Sequence, residues 1–289
     1  MRRLLTGLLL SAVIGAPAAA GELRNGTKLL LTGGVSTIEG SGGGGLSTWA
    51  TTTGYGDDEG IGGNVHGTIV SLPDFEFTTW GVAGAAFDRV EISYARQSFD
   101  TRDAGAALGL GKGFTFNQDV LGVKVVVLGD AVYDQDRWLP QVAVGAQYKK
   151  NDQGGVIAAV GGLDDEGVDY YVAATKLLLD RSLLVSGAVR MTKANQTGLL
   201  GFGGPDGDDY APEFEGSVAW LASRRLAFGA EYRSKSGNLA FAREDDWFDV
   251  FAAYAVNKNL SITAAWVDLG DIATFKDQRG FYLSLQAGF

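Results

Sequence analysis

The 289 residues carry 24 Lys and Arg against 34 Asp and Glu, a net charge of −10, and contain no cysteine. That acidic balance excludes a nucleic-acid surface, which needs a basic face for phosphate, and the lack of thiols excludes small disulfide-stapled folds.

Read from its beginning, the chain opens with Met1, Arg2 and Arg3, then an apolar run from Leu4 to Ile14, then Ala18-Ala19-Ala20. A basic start, an apolar stretch of this length and small residues at a cleavage point predict a secretory signal peptide over 1–20. A spanning helix needs ~20 apolar residues, and Gly15 and Pro17 interrupt this run. The usual residues after an export Arg pair are missing, so twin-arginine export is not indicated. The mature chain is expected to start near Gly21 and to form one domain over 21–289. Removing Arg2 and Arg3 leaves 22 basic against 34 acidic residues, a net charge of −12.

Beyond residue 21 no apolar stretch is long enough to span a bilayer as a helix, yet 46% of residues are apolar, 11% are aromatic, 43 are glycine and only five are proline. What repeats is alternation of apolar and polar residues with turn residues between. In chain order the predicted strands are 29–38, 46–54, 63–70, 75–86, 90–94, 118–128, 142–148, 168–178, 183–191, 214–220, 226–232, 248–256, 260–266 and 280–289. The last is the plainest: Phe281, Leu283, Leu285, Ala287 and Phe289 share one face, with small or polar residues opposite. An alternating strand closing on Phe289 resembles the C-terminal targeting signal of outer-membrane barrels, so Phe281, Leu283, Leu285 and Phe289 are expected to serve targeting and closure.

The connections are alternately long and short. Those at 149–167, 192–213, 234–246 and 268–279 are long; those at 180–181, 223–224 and 257–259 are tight. Long outer loops and short periplasmic turns produce this sorting, and it places both termini in the periplasm. A lipid-embedded sheet must pair all its backbone groups, so it closes. The expected fold is an all-β, antiparallel, up-and-down transmembrane barrel of about fourteen strands, with twelve the alternative, in the outer membrane. Trp138 is expected at the periplasmic edge, and Tyr148, Tyr232 and Trp247 at the outer edge, as aromatic girdles.

The stretches Leu31-Thr32-Gly33-Gly34-Val35-Ser36, Glu91-Ile92-Ser93-Tyr94-Ala95-Arg96-Gln97 and DAVYDQDRWLPQVAVGAQY (130–148) resemble an uncharacterised family of Gram-negative exported proteins, known only as a domain of unknown function. The resemblance covers most of the mature chain. It implies outer-membrane location and brings no activity, cofactor or site residue.

Chemistry-bearing motifs are few. Gly40-Ser41-Gly42-Gly43-Gly44-Gly45 satisfies a dinucleotide pattern, but a β-rich run follows it where a helix is required. Gly109-Leu110-Gly111-Lys112-Gly113 fails the spacing of a phosphate loop. His66, the one histidine, is predicted to face the lumen, and no G-x-S-x-G elbow accompanies it, so a hydrolase is the least favoured reading. Asp57-Asp58, Asp164-Asp165, Asp208-Asp209 and Asp245-Asp246 read as solvated loop charge; 205–209 is at best a weak cation site. No cofactor and no metal are expected.

The informative constellation is interior. Alternation points Lys124, Arg190, Glu215, Glu231, Arg233 and Asp249 inward, because each would cost ~2–4 kcal/mol facing lipid near the midplane. They form either a structural salt-bridge cluster or a selective constriction. The small inward residues Ser93, Ala143, Gly145, Ser186, Ala188 and Ser217 favour an open lumen. The leading expectation is a porin-like channel or transporter for small solutes. The alternative is a closed structural or surface-interaction barrel acting through its loops, which could also fold in. Expected partners are the lipid bilayer, the barrel-assembly machinery and small solutes, with no nucleic acid.

Overall fold

Successive side chains of a strand point to opposite faces, and burial follows that rule along the chain. In Ile61–Ser71, Asn64, His66, Thr68 and Val70 are buried while Val65, Gly67 and Ile69 are exposed. A computed structural model describes residues 28–33, 35–242 and 244–289; the signal-peptide reading at 1–20 lies outside the described residues. The first elements are a two-residue pair, β1 (Val35–Ser36) with β2 (Gly42–Gly43). Then come β3 (Ile61–Ser71), β4 (Glu76–Ala86), β5 (Val90–Asp100), β6 (Thr115–Leu128), β7 (Gln141–Asn151) and β8 (Glu166–Leu178). They are followed by β9 (Leu183–Thr192), β10 (Ala211–Ser223), β11 (Leu226–Arg233), β12 (Trp247–Ala255), β13 (Leu260–Asp268) and β14 (Arg279–Gly288). Among the described residues, β3 to β14 make one closed antiparallel barrel of twelve strands, with β14 paired to β3 from Phe281↔Ser71 to Gly288↔Asn64.

Twelve is the lower of the two strand counts expected. The segments 29–38 and 46–54 do not join the wall; they lie inside it. Their sequence explains this. Gly40 to Gly45 supports no more than the two-residue β2, Glu39 and the Thr run at 51–53 leave no greasy face, and a wall strand must show lipid one. Residues 31–33 and 35–54 are instead buried, as a plug within the barrel.

The outer face is a belt of exposed apolar side chains, among them Val65, Ile69, Ile92, Leu121, Val185, Val218 and Leu283. A soluble protein would not tolerate so large an apolar surface; in hydrocarbon it is required. Proline stays out of strand centres, as a missing ladder donor demands: Pro73, Pro140 and Pro205 sit in connections and Pro212 is second in β10. Tyr148 and Tyr232 are exposed at strand ends, and Trp138 is exposed in the β6–β7 connection. Trp247 departs from the expected girdle: it is 4% exposed and faces the lumen, because β12 starts on it and the inward set is Trp247, Asp249, Ala253 and Ala255.

The long connections gather at one end of the barrel and the tight turns at the other, with two exceptions: the β6–β7 connection (129–140) is long among the tight turns, and the β3–β4 connection (72–75) is short among the long loops. The turn between β4 and β5 holds Phe87 and Asp88 at φ 56° and 48°, the left-handed pair whose twist suits a hairpin. Two short helices, α1 (Ala104–Ala107) and α2 (Gly154–Ala159), sit in the long-loop cap. Placing charge on the lipid belt tests the wall directly. Leu121→Arg at the middle of β6 is expected to cost ~2–4 kcal/mol, read as a lower urea midpoint for the barrel refolded in liposomes.

Candidate lumen gate and apolar cavity

Wall alternation delivers Lys124, Arg190, Glu215, Glu231, Arg233 and Asp249 to the lumen, where none is more than 4% exposed. Register brings them together. Glu215 on β10 stands opposite Arg233 on β11, and Glu231 on β11 opposite Asp249 on β12. Arg190 donates from Nε to Glu215 at 2.6 Å and approaches Asp169 at 3.5 Å, while Lys149 pairs with Asp169 at 2.6 Å. Lys124 pairs with Glu91 at 3.1 Å. Lys149, Asp169, Glu91 and Glu213 complete the interior set and were missed by the sequence reading. Lys149 escaped because the strand was ended at 148, whereas β7 runs to Asn151. Glu91 was legible, since Val90, Ile92 and Tyr94 face out.

The centre of the cluster is not a wall residue. Glu39, on the plug, contacts Lys149, receives Arg233 at 2.9 Å and lies 3.4 Å from Arg190. A lone carboxylate in a Gly/Ser/Thr stretch gave no period by which to place it. Because the plug forms no ladder with the wall, its backbone groups need other partners, and wall side chains supply them. The Glu231 carboxylate accepts the Gly45 and Leu46 N–H groups at 2.5 and 2.8 Å and the Ser47 hydroxyl at 2.6 Å. Glu215 accepts Thr48 N–H at 2.6 Å, and Glu91 accepts Gly42 and Thr53 N–H at 3.0 and 2.7 Å. Lys124 donates to the Gly42 and Thr51 carbonyls at 2.9 and 3.0 Å. Glycine is needed where plug meets wall: a Cβ on Gly44 would lie 1.6 Å from a Glu231 carboxylate oxygen. Of the six residues expected to form either a salt-bridge cluster or a constriction, Lys124, Arg190, Glu215, Glu231 and Arg233 hold the plug, and Asp249 faces Glu231.

Towards the long-loop end the lumen turns apolar. A cavity of about 200 Å³ lies there, walled by Phe75, Phe77, Phe99, Phe116 and Trp247, with Ile38 and Leu46 of the plug as its floor. Gln196 and Thr197 line it from above, both in left-handed backbone at φ 46° and 59°, a conformation that costs non-glycine residues and collects at clamps and switches. Beside them the buried Lys235 and Glu244 pair at 3.1 Å, and burial pushes the Glu244 carboxyl up against the pull of Lys235. At ~24 cal/mol per Å³, a void of 200 Å³ would cost on the order of 5 kcal/mol as mere packing failure.

The remaining candidates gain little. His66 is buried and neither ring nitrogen has a hydrogen-bond partner among the described residues. Asp208 is paired to Lys193 at 2.9 Å, Asp245 accepts the Asp271 N–H, and Asp246 accepts from Tyr232 and Lys235. Among the described residues no group of His, Cys, Asp and Glu is arranged to hold a metal ion.

Comparison with known proteins gives a family and a fold. The family described as "Protein of unknown function (DUF3034)" matches residues 32–286. No curated protein matches the chain. Among solved structures, the KdgM porin is similar at 10% identity and a TM-score of 0.51, covering 78% of this chain and 99% of its own. The same porin in complex with disordered oligogalacturonate gives 0.52 at 10% identity, with the same coverage. The NanC porin gives 0.48 at 11%, over 78% and 98% of the two chains. At these identities the likeness is one of fold: a twelve-stranded closed barrel of the outer-membrane porin kind.

Proposed function

The chain belongs to the DUF3034 family of proteins of unknown function, and from that premise we propose that it is an outer-membrane channel for small solutes whose lumen is gated by its own N-terminal segment. The signal peptide exports it, both termini face the periplasm, and the long-loop end faces outward. One observation carries the reading: the lumen is filled by a segment that, among the described residues, is hydrogen-bonded to wall side chains and not to the backbone of a wall strand. Such a filling can leave without opening the sheet. The wall behind it is lined by small residues, Ser93, Gly122, Ala143, Gly145, Ser186 and Ala188, so removing the plug leaves a bore rather than a packed core.

The lumen's charge bears on what it would pass. Four wall cations, Lys124, Lys149, Arg190 and Arg233, face six carboxylates, Glu91, Asp169, Glu213, Glu215, Glu231 and Asp249. A polyanion such as oligogalacturonate would meet net repulsion here, so that substrate is not transferred. The density of the ion-pair network around Glu39 favours a second reading, a permanently closed barrel acting through its loops.

Planar-bilayer recording of the purified barrel decides between them. Brief openings from a closed baseline are expected, together with slow swelling of proteoliposomes in small neutral solutes. An electrically silent barrel that also stays silent when the plug is removed would end the channel reading.

A further inference from the structure

Within that gated-channel reading, on which this inference rests, we propose that the cavity beneath the long loops is a binding site for a small apolar molecule, between one aromatic ring and two fused rings in size. Five aromatic side chains from β4, β5, β6, β12 and the β3–β4 turn converge on it, and Phe75 stacks on Phe99 with ring centroids 4.9 Å apart. Its polar lining is confined to Thr101, Gln196 and Thr197. A cavity of ~150 Å³ lined by aliphatic and aromatic side chains stays dry and takes up benzene; this one has about 200 Å³. A polar solute entering it would lose its water with almost nothing offered in return.

Two features make the cavity a waypoint rather than a packing fault. Leu108 and Phe241 belong to its lining and are both more than a third exposed, so the apolar surface continues to the outside between the loops. Its floor is Ile38 and Leu46. The first precedes Glu39, the centre of the ion-pair cluster, and the second donates its own N–H to Glu231. A molecule seated in the cavity therefore presses on the two plug residues next to the polar anchors. Binding site and gate share a wall.

Naphthalene titrated into barrel-bearing lipid nanodiscs, against empty nanodiscs, tests the assignment by its fluorescence. A saturable component of one molecule per barrel is expected above the linear partition into lipid. Two variants fill the cavity from different connections, Leu199→Trp and Ala273→Trp; whichever keeps the mobility of a folded, unboiled barrel is expected to bind at least roughly tenfold more weakly. No saturable component in the native barrel, or undiminished binding in a folded filled variant, overturns the site. Swelling in polar solutes of proteoliposomes made from the same purified barrel keeps the two failures apart. If it persists while naphthalene does not bind, the ligand is wrong and the channel stands. If both are lost, both fall.

Discussion

Glu39→Ala is expected to convert a mostly closed barrel into one that opens often. Three cations, Lys149, Arg190 and Arg233, converge on that single carboxylate, and all four side chains are at most 1% exposed. Removing one partner of a buried ion pair costs ~3–5 kcal/mol; Lys149 and Arg190 keep Asp169 and Glu215 as counter-ions, so the loss falls on Arg233, whose other carboxylates stand 3.9 and 4.0 Å away. Departure of the plug relieves that penalty by admitting water to the lumen. The plug equilibrium is therefore expected to shift by a factor of roughly 10²–10⁴ towards open. Single-channel recording reads this as open probability, while unboiled gel mobility reports the wall. Glu39→Gln keeps a hydrogen-bond acceptor and should fall between the two. A Glu39→Ala barrel that is folded and no more open than the native one would show that the cluster stiffens the barrel and does not latch it.

The wall was legible in the sequence because lipid imposes period two without exception. Wherever one face must be greasy, as along Val65, Gly67 and Ile69 or Phe281, Leu283 and Leu285, the strand and its facing follow. The same constraint made the six interior charges readable one residue at a time. It also explains the two false wall strands. Inside a lumen there is no hydrocarbon, so 29–38 and 46–54 are free of alternation, and β-branched residues such as Val35 and Thr51 to Thr53 mimic a strand by composition alone. What they do was written in partners far away in sequence: Glu231, 184 to 186 residues beyond the plug atoms that it holds. Trp247 shows the limit of position as a guide. It lies at the strand end where a girdle residue is expected, and only the phase of β12 turns it inward.

Deleting residues 29–54 should have the largest effect of all, a steady ohmic conductance in place of rare openings. The wall does not depend on the plug for its ladders. β3 is paired to β14 and β4 by its own backbone, and Tyr55, which donates its N–H to the Phe289 carbonyl at 2.9 Å, remains. The interior charges lose their plug partners but gain water, so they no longer count as buried. Selectivity then follows from what lines the bore. With four cations against six carboxylates, a ring of acidic excess attracts cations, so reversal potentials in a salt gradient should show a mild cation preference. Glu231→Gln with Asp249→Asn, on facing positions of β11 and β12, should remove or invert it. In the deleted barrel Glu39 no longer exists, and a plug-independent open state should lie above the Glu39→Ala barrel in conductance. A folded deletion variant that conducts no better than the native protein would mean that the outer loops, rather than the plug, close the barrel.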